Sequence, residues 1–290
     1  MRLVVWDDFR LGVLEADGIH DVTDLVDDGA DVPAWAAPYR MNQLIGRWEE
    51  LRDAVEKRRD DGQAVPLDSV TLRAPSPRPR NFLAAPLNYV AHGEEMKGSI
   101  GTGGGTPKEL GFFIKASGCI ADPTGPIELP PVPDRRFDHE GEIGVVIGRP
   151  ARGVGPDRAL EHVFGYTLVL DATMRMTDTR REERTMRKSF ATFSPSGPCL
   201  LTADEVPDPA ALEVRLWVDD ELRQEGHLSE LVVDVAGLVS MASHVLPLEP
   251  GDLFATGSPA GVGPILPGET VVVETEAIGR MTLPVVQRGW

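Results

Sequence analysis

Short apolar runs broken by polar pairs open the chain. RLVVWDD, RLGVLEA and IHDVTDL read as three short strands separated by turns, and QLIGRWEELRDAVEKRR carries the spacing of an amphipathic helix. These elements predict a small N-terminal α+β domain over residues 1–74. At APSPRPR, residues 74–80, prolines at alternate positions break any regular element, so the boundary is placed there, ahead of a larger domain over residues 75–290.

In that larger domain the pattern changes to β-rich runs punctuated by proline and glycine: EIGVVIG, HVFGYTLVLDA, LEVRLWVDD and ETVVVETEAIG. The clearest helical stretch is SELVVDVAGLVSMASHV. The expected class is therefore mainly β, of α+β type, with a mixed sheet arrangement and no internal repeat. The glycine cluster GSIGTGGGTPKELG, residues 98–111, lacks both the Gly-Lys-Ser/Thr ending of a phosphate loop and a preceding apolar strand. It reads instead as an active-site lid or a plain loop.

A chain of 290 residues with 41% hydrophobic residues can bury a substantial core. The start MRLVVWDDFRLG does not have the layout of a secretory signal, and no apolar run approaches membrane-spanning length, so a soluble cytoplasmic protein is expected. Cys119 and Cys199 are too few for a disulfide framework and read as buried thiols. A formal charge of -17 disfavours nucleic acid and anionic membranes as partners, and an anionic substrate would need local cations. The main exception to the acidic background is RREERTMRK, Arg180 to Lys188. Its mixed signs at helical spacing read as a solvated face.

Residues 137–148, FDHEGEIGVVIG, run from an acidic start into an apolar stretch. On one strand, Asp138, Glu140 and Glu142 would share a face. Buried carboxylates are costly when unpaired and repel one another when adjacent, so such packing calls for a compensating cation. Oxygen ligands without a Cys or His cluster favour Mg²⁺, with Mn²⁺ or Ca²⁺ also accommodated. An exposed edge strand whose acids face water is the alternative. GYTLVLDATMR, residues 165–175, is a second apolar strand, and its terminal Asp171 is placed either to complete a ligand set or to cap a turn.

E-x-E before an apolar strand, GYT followed by Asp and Arg, then KSF and GP, form an ordered set that resembles the fumarylacetoacetate hydrolase family, in its acylpyruvase and 2-hydroxyhepta-2,4-diene-1,7-dioate isomerase-like branch. The resemblance covers roughly residues 80–290 and continues through LNYVAHGEEM, FFIKAS, LRQEGH and PGDLFATGSPAGVG in order. It implies a mixed β-sandwich or roll catalytic domain, one Mg²⁺ or Mn²⁺, and a homodimer. By position it implies Glu140, Glu142 and Asp171 as metal ligands, with Asp138 outside the set, either just behind the ligands or bonded to nearby backbone. His92 and Glu95, one helical turn apart, match its catalytic pair within the pattern that starts at Asn88 and Tyr89. Lys188 matches a lysine placed near a developing oxyanion. Arg175 and Thr256 match substrate contacts, and Lys115 fills a position with either a substrate or a structural role. The chain departs from the pattern at Asp178, where hydrolytic relatives often carry glutamine, which weakens an oxyanion-hole assignment there. It also departs at Ser258, which replaces a threonine, and at Asp219 and Asp220, which replace an Asn-Gly turn. The added glycines would reshape the lid.

The implied activity is metal-dependent hydrolysis of a carbon–carbon bond in a 2,4-dioxo acid, of the kind met in aromatic catabolism. It would yield pyruvate or a related 2-oxo acid plus a carboxylic acid. His92, assisted by Glu95, would activate water, and Lys188 would stabilise the oxyanion. The same enolate chemistry serves decarboxylation, isomerisation and hydration of 2-oxo acids, which stand next in order. A non-catalytic metal-dependent binding protein stands third. A serine hydrolase is disfavoured because GSPAG, residues 257–261, lacks the G-x-S-x-G order. The expected partner is a small-molecule 2-oxo acid.

Overall fold

The structure, a computed structural model, describes residues 1–29, 31–95 and 105–289. The opening alternation folds into an antiparallel meander of β1 (Arg2–Trp6), β2 (Arg10–Glu15) and β3 (Gly18–Asp21), which buries Leu3, Val5, Leu11 and Val13. A short helix, α1 (Thr23–Asp27), follows. The single amphipathic helix expected next is two, α2 (Arg40–Gly46) and α3 (Trp48–Asp61), which meet at Arg47. Gly46 weakens the helix there, and the break turns both Leu44–Ile45 and Leu51–Val55 toward the core. Two short strands, β4 (Ala64–Val65) and β5 (Leu72–Arg73), then pair with β3 and β1.

The remaining elements begin with β6 (Phe82–Ala84), α4 (Val90–Glu95), α5 (Pro107–Leu110), β7 (Phe113–Lys115), β8 (Ile120–Ala121) and β9 (Ile127–Leu129). Next come β10 (Phe137–His139), β11 (Gly141–Ile147), β12 (Val163–Leu170), β13 (Thr173–Met174), α6 (Arg184–Lys188) and β14 (Ser194–Thr202). The chain ends with β15 (Glu213–Val218), β16 (Glu221–His227), α7 (Val235–Val245), β17 (Leu253–Ala255), β18 (Gly263–Pro264), β19 (Thr270–Thr275) and β20 (Gly279–Gln287). The largest sheet runs β4-β3-β2-β1-β14-β12-β11-β17-β6-β7, so the N-terminal meander is hydrogen-bonded to the rest through β1 and β14. A five-stranded sheet, β16-β15-β19-β20-β9, and a three-stranded one, β13-β10-β18, complete the strand-rich α+β architecture expected from the sequence.

β11 and β12 are buried along their whole length. Ile143, Val145 and Ile147 enter one hydrophobic cluster while Val146 enters the other, which explains why this run is apolar at every position rather than at alternate ones. The acidic start is not the single strand that its alternation suggested. The segment breaks at Glu140: β10 pairs with β13 and β18, whereas β11 pairs with β12 and β17. At the break, the Asp171 amide donates to the Glu140 carbonyl at 2.8 Å, which ties the end of β12 to the gap between β10 and β11.

Asp234 caps α7 by accepting from the Gly237 amide at 2.8 Å, so the helix starts later than the apolar pattern did. Both cysteines are buried and free, as expected. Asp219 takes a left-handed conformation, φ 53°, in the β15–β16 turn, and its carboxylate accepts from Thr270, so this departure from an Asn-Gly turn is structural. Residues 98–104 of the glycine cluster, expected to be a lid or a plain loop, lie outside the described residues. No helix among the described residues is long and apolar enough to cross a membrane.

Candidate metal centre and its cavity

Glu140 in the strand break, Glu142 at the start of β11 and Asp171 just past β12 bring three buried carboxylates together, with ligand oxygens all within 4.8 Å of one another. It is the one such cluster of acidic, His or Cys groups among the described residues. Cations surround it unevenly. The Lys188 ammonium donates to Glu140 Oε2 at 2.6 Å, Asp171 Oδ2 at 2.6 Å and Thr173 Oγ1 at 2.7 Å. Lys115, fully enclosed, donates to Asp171 Oδ1 and to the Phe193 carbonyl. Arg175 bridges Glu140 Oε1 and Asp138 Oδ2, both at 2.6 Å.

Glu142 is different. It accepts from the Gly257 amide at 2.7 Å and forms no ion pair among the described residues. Burial, together with the charges of Asp171 and Glu140, therefore pushes its carboxyl well above the usual carboxylate range. For Glu140 burial acts in the same direction, but Lys188 and Arg175 outweigh it and hold that carboxyl below the range. Three convergent carboxylate oxygens, one of them without a counter-ion, fit a divalent hard cation, which would supply the charge that Glu142 lacks. A divalent metal site is the reading that this donor set supports.

The cluster opens into a cavity of about 600 Å³. His92 reaches it from α4, with Nδ1 at 3.0 Å from Glu95 Oε2, while Glu95 Oε1 accepts from the Gly261 amide at 3.0 Å. An ionised Glu95 fixes the proton on Nδ1 and leaves Nε2 as the basic nitrogen. Asn88 holds this helix in place by donating to the carbonyls of Thr256 and Val233. The expected pair thus shares one cavity with Glu140 and Glu142, and Asp171 completes the cluster without lining the wall, although all come from segments far apart in sequence.

Other expectations need correction. Lys188 lines the cavity, and its three N–H bonds go to Glu140, Asp171 and Thr173. Thr256, expected to contact substrate, is enclosed; its hydroxyl donates to the Ile143 carbonyl, and it does not line the cavity. Lys115 bonds to Asp171 and does not line the cavity either. Asp138 does stand behind the ligands, but its partners are the guanidinium groups of Arg136 and Arg175, not backbone. Asp178 is exposed and away from the cavity wall, whereas Ser258 lines it.

The run Arg180 to Lys188 is not simply a solvated face. Glu182 turns onto Arg135, while Arg184, Arg187 and Lys188 face the cavity from α6. Sequence reasoning missed Arg184 and Arg187 because the interspersed glutamates masked a one-sided cationic stripe at i, i+3 and i+4. It also missed His139 and Gln224, a buried pair that links β10 to Ser258.

A family model described as fumarylacetoacetate (FAA) hydrolase C-terminal matches residues 81–286. The chain is 35% identical to the maleylpyruvate hydrolase of Aquipseudomonas alcaligenes, over 98% of its own length and 99% of the relative's. A crystal structure of maleylpyruvate hydrolase from Sphingobium sp. SYK-6, in complex with manganese(II) ion and pyruvate, superposes with a TM-score of 0.87 at 39% identity and covers both chains completely. The 2-hydroxyhepta-2,4-diene-1,7-dioate isomerase of Mycobacterium marinum superposes with a TM-score of 0.68 at 34% identity, over 79% of this chain and 83% of the other.

Proposed function

Because the chain belongs to the fumarylacetoacetate hydrolase family, we propose that it is a metal-dependent hydrolase that cleaves a carbon–carbon bond in a 2,4-dioxo acid. The products are pyruvate, or a related 2-oxo acid, and a carboxylic acid. The observation that carries this reading is the opening of a buried three-carboxylate cluster and a carboxylate-oriented histidine into one cavity. Glu140, Glu142 and Asp171 would hold Mg²⁺ or Mn²⁺. A divalent cation there supplies Lewis-acid polarisation of the 2-oxo group.

The remaining chemistry falls to side chains. His92 Nε2 takes a proton from the water that attacks the C4 carbonyl. The C3–C4 bond then breaks, its electron pair passes to the pyruvate half as an enolate, and the imidazolium returns the proton to C3. Glu95 keeps the imidazole in the required tautomer and stabilises its charged form. Arg175 contributes charge at the wall while holding Glu140. Lys188 reaches substrate only when Glu140 or Asp171 exchanges its ammonium for another cation. We place this catalysis in residues 75–290, with residues 1–74 as an N-terminal accessory unit, and expect a homodimer.

The test is incubation of metal-stripped protein, with and without Mg²⁺ or Mn²⁺, with a panel of acylpyruvates, oxaloacetate and unsaturated 2-oxo diacids, with products identified by mass. Metal-dependent release of pyruvate and a carboxylic acid is expected. The similarity to an isomerase favours a second reading, and a product of unchanged mass would select it. Full activity without metal would defeat both.

A further inference from the structure

The stretch LRQEGH has no part in the chemistry above, yet its Gln224, on β16, is buried between the two halves of the site. The carboxamide uses every hydrogen-bonding position it has. Its Oε1 accepts from the Gly141 amide and from His139 Nδ1, both at 3.0 Å, and its Nε2 donates to Ser258 Oγ at 2.6 Å and to the Pro259 carbonyl at 2.7 Å. A backbone amide can only donate and a carbonyl can only accept, so Gly141 and Pro259 fix which way the carboxamide faces.

The two ends of that carboxamide grip different parts of the site. Gly141 lies between Glu140 and Glu142, at the break between β10 and β11. Ser258 and Pro259 belong to the loop 256–262 between β17 and β18, and this one loop serves both halves: the Gly257 amide donates to Glu142 Oε2 at 2.7 Å and the Gly261 amide to Glu95 Oε1 at 3.0 Å. Asn88 pins the start of the loop at the Thr256 carbonyl. Its later part is pinned by Gln224 and by close packing on β16, where Gly261 has φ +98° and a Cβ would overlap the Arg223 carbonyl oxygen. Glu95 is oriented by His92 on one oxygen and by Gly261 on the other, so a displaced loop turns the carboxylate and the imidazole with it. A misplacement of about 1 Å in such a pair can cost ~10²-fold in rate.

We propose that Gln224 is a positioning residue that holds the carboxylate cluster and the His92–Glu95 pair in register, acting through Gly141 on one side and through the loop to Gly261 on the other. Its effect on turnover rests on the hydrolase reading, whereas its grip on the loop does not.

Gln224→Met keeps the volume and removes all of these bonds. In metal-free protein, hydrogen exchange at the Gly261 amide should quicken by ~10-fold or more relative to the amides paired between β1 and β2, which lie in another sheet. Calorimetry should show Mn²⁺ affinity reduced by ~3–10-fold, because Gly141 and Gly257 both lose their anchor. At saturating Mn²⁺, kcat should fall by ~10-fold or more, and Gln224→Met placed on Glu95→Gln should cost far less than it does on the wild type, since the two substitutions disable the same orientation of His92. Gly261→Ala should lower kcat about as much as Glu95→Gln while Mn²⁺ affinity stays within about 2-fold. Losses in kcat that multiply in the double variant, or exchange at Gly261 that rises no more than it does between β1 and β2, would overturn the positioning role. Protein that cleaves no 2,4-dioxo acid yet shows the change in exchange and in Mn²⁺ affinity keeps the clamp and loses the hydrolase assignment. An active enzyme in which neither quantity moves loses the clamp alone. Thermal unfolding identifies misfolding, and if Gln224→Met unfolds, Gln224→Asn, which keeps the carboxamide but withdraws it by one methylene, carries the same test.

Discussion

Replacing Glu142 by glutamine should abolish activity and, in metal-free protein, raise stability. The three ligand oxygens lie within 4.8 Å of one another, so each like-charge pair repels by at least ~3.5 kcal/mol at an effective dielectric of about 20. Glu142 belongs to two such pairs and has no cation of its own. If Lys188 offsets about half of that repulsion, ~3 kcal/mol remains when Glu142 is ionised. Glutamine removes the charge and can still accept from the Gly257 amide.

The direction with pH follows from the raised carboxyl. The fold favours protonated Glu142, so the wild type keeps this stability at low pH and loses it as pH climbs from the ordinary carboxylate value through the raised one. Glutamine mimics the protonated form throughout, so the advantage of the variant should be small at about pH 5 and grow toward about pH 8.5. At 2–4 °C per kcal/mol for chains of this size, the metal-free variant should melt ~5–10 °C higher at the alkaline end. Mn²⁺ at about 100 times its Kd should restore ~2.7 kcal/mol to the wild type and nothing to the variant. Scanning calorimetry with and without Mn²⁺ reads all of this. A variant less stable than wild type in EDTA at both pH values, or stabilised by Mn²⁺ as much as wild type, would refute the electrostatic account of the site.

Three further outcomes are expected. Because metal-free protein retains a proton on Glu142 in the range below its raised value, Mn²⁺ binding there should release about one proton and tighten as pH rises, measured by calorimetry in buffers of different ionisation enthalpy; release of none would contradict the assignment. His92→Asn should lower kcat for pyruvate release by ~10²–10⁴ while leaving Mn²⁺ affinity intact, with a smaller loss for Glu95→Gln. Gly257→Ala should cost ~1–3 kcal/mol and weaken Mn²⁺ binding, both measurable by thermal shift, because Gly257 has φ +105° and a Cβ would lie 2.7 Å from the Asn88 Cβ.

Residue pattern alone drew attention to Asp138, Glu140 and Glu142 and left Asp171 open between a ligand and a turn cap; the set Glu140, Glu142 and Asp171 came from the resemblance to the family. The alternation that drew attention to Asp138, Glu140 and Glu142 was nevertheless a poor guide to geometry. Strand periodicity assumes continuous pairing, and here the Glu140 carbonyl bonds the Asp171 amide at a break between two sheets. Thr256 and Lys188 show a second limit. Position within a motif placed them near the site, but which hydrogen bonds they make depends on partners from other strands, which no local pattern encodes. Arg187 was hidden for the opposite reason: its neighbour Glu182 suggested local pairing, and the fold sends that carboxylate to Arg135.

Charge accounts for why so acidic a protein can take an anionic substrate. Asp138, Glu140, Glu142 and Asp171 are matched around the site by Lys115, Lys188, Arg136 and Arg175, so the cage is close to neutral before any metal enters. A divalent cation would leave a positive surplus, and Arg184 and Arg187, which form no ion pair among the described residues, face the same cavity as Glu95 and Asp134. The net charge of -17 repels anions over the surface at large, so an anionic substrate depends on the cations gathered at the cavity. Affinity for a 2-oxo acid is thereby coupled to metal occupancy, and the coupling is reciprocal: whatever the cation adds to acid binding, the acid adds to retention of the cation.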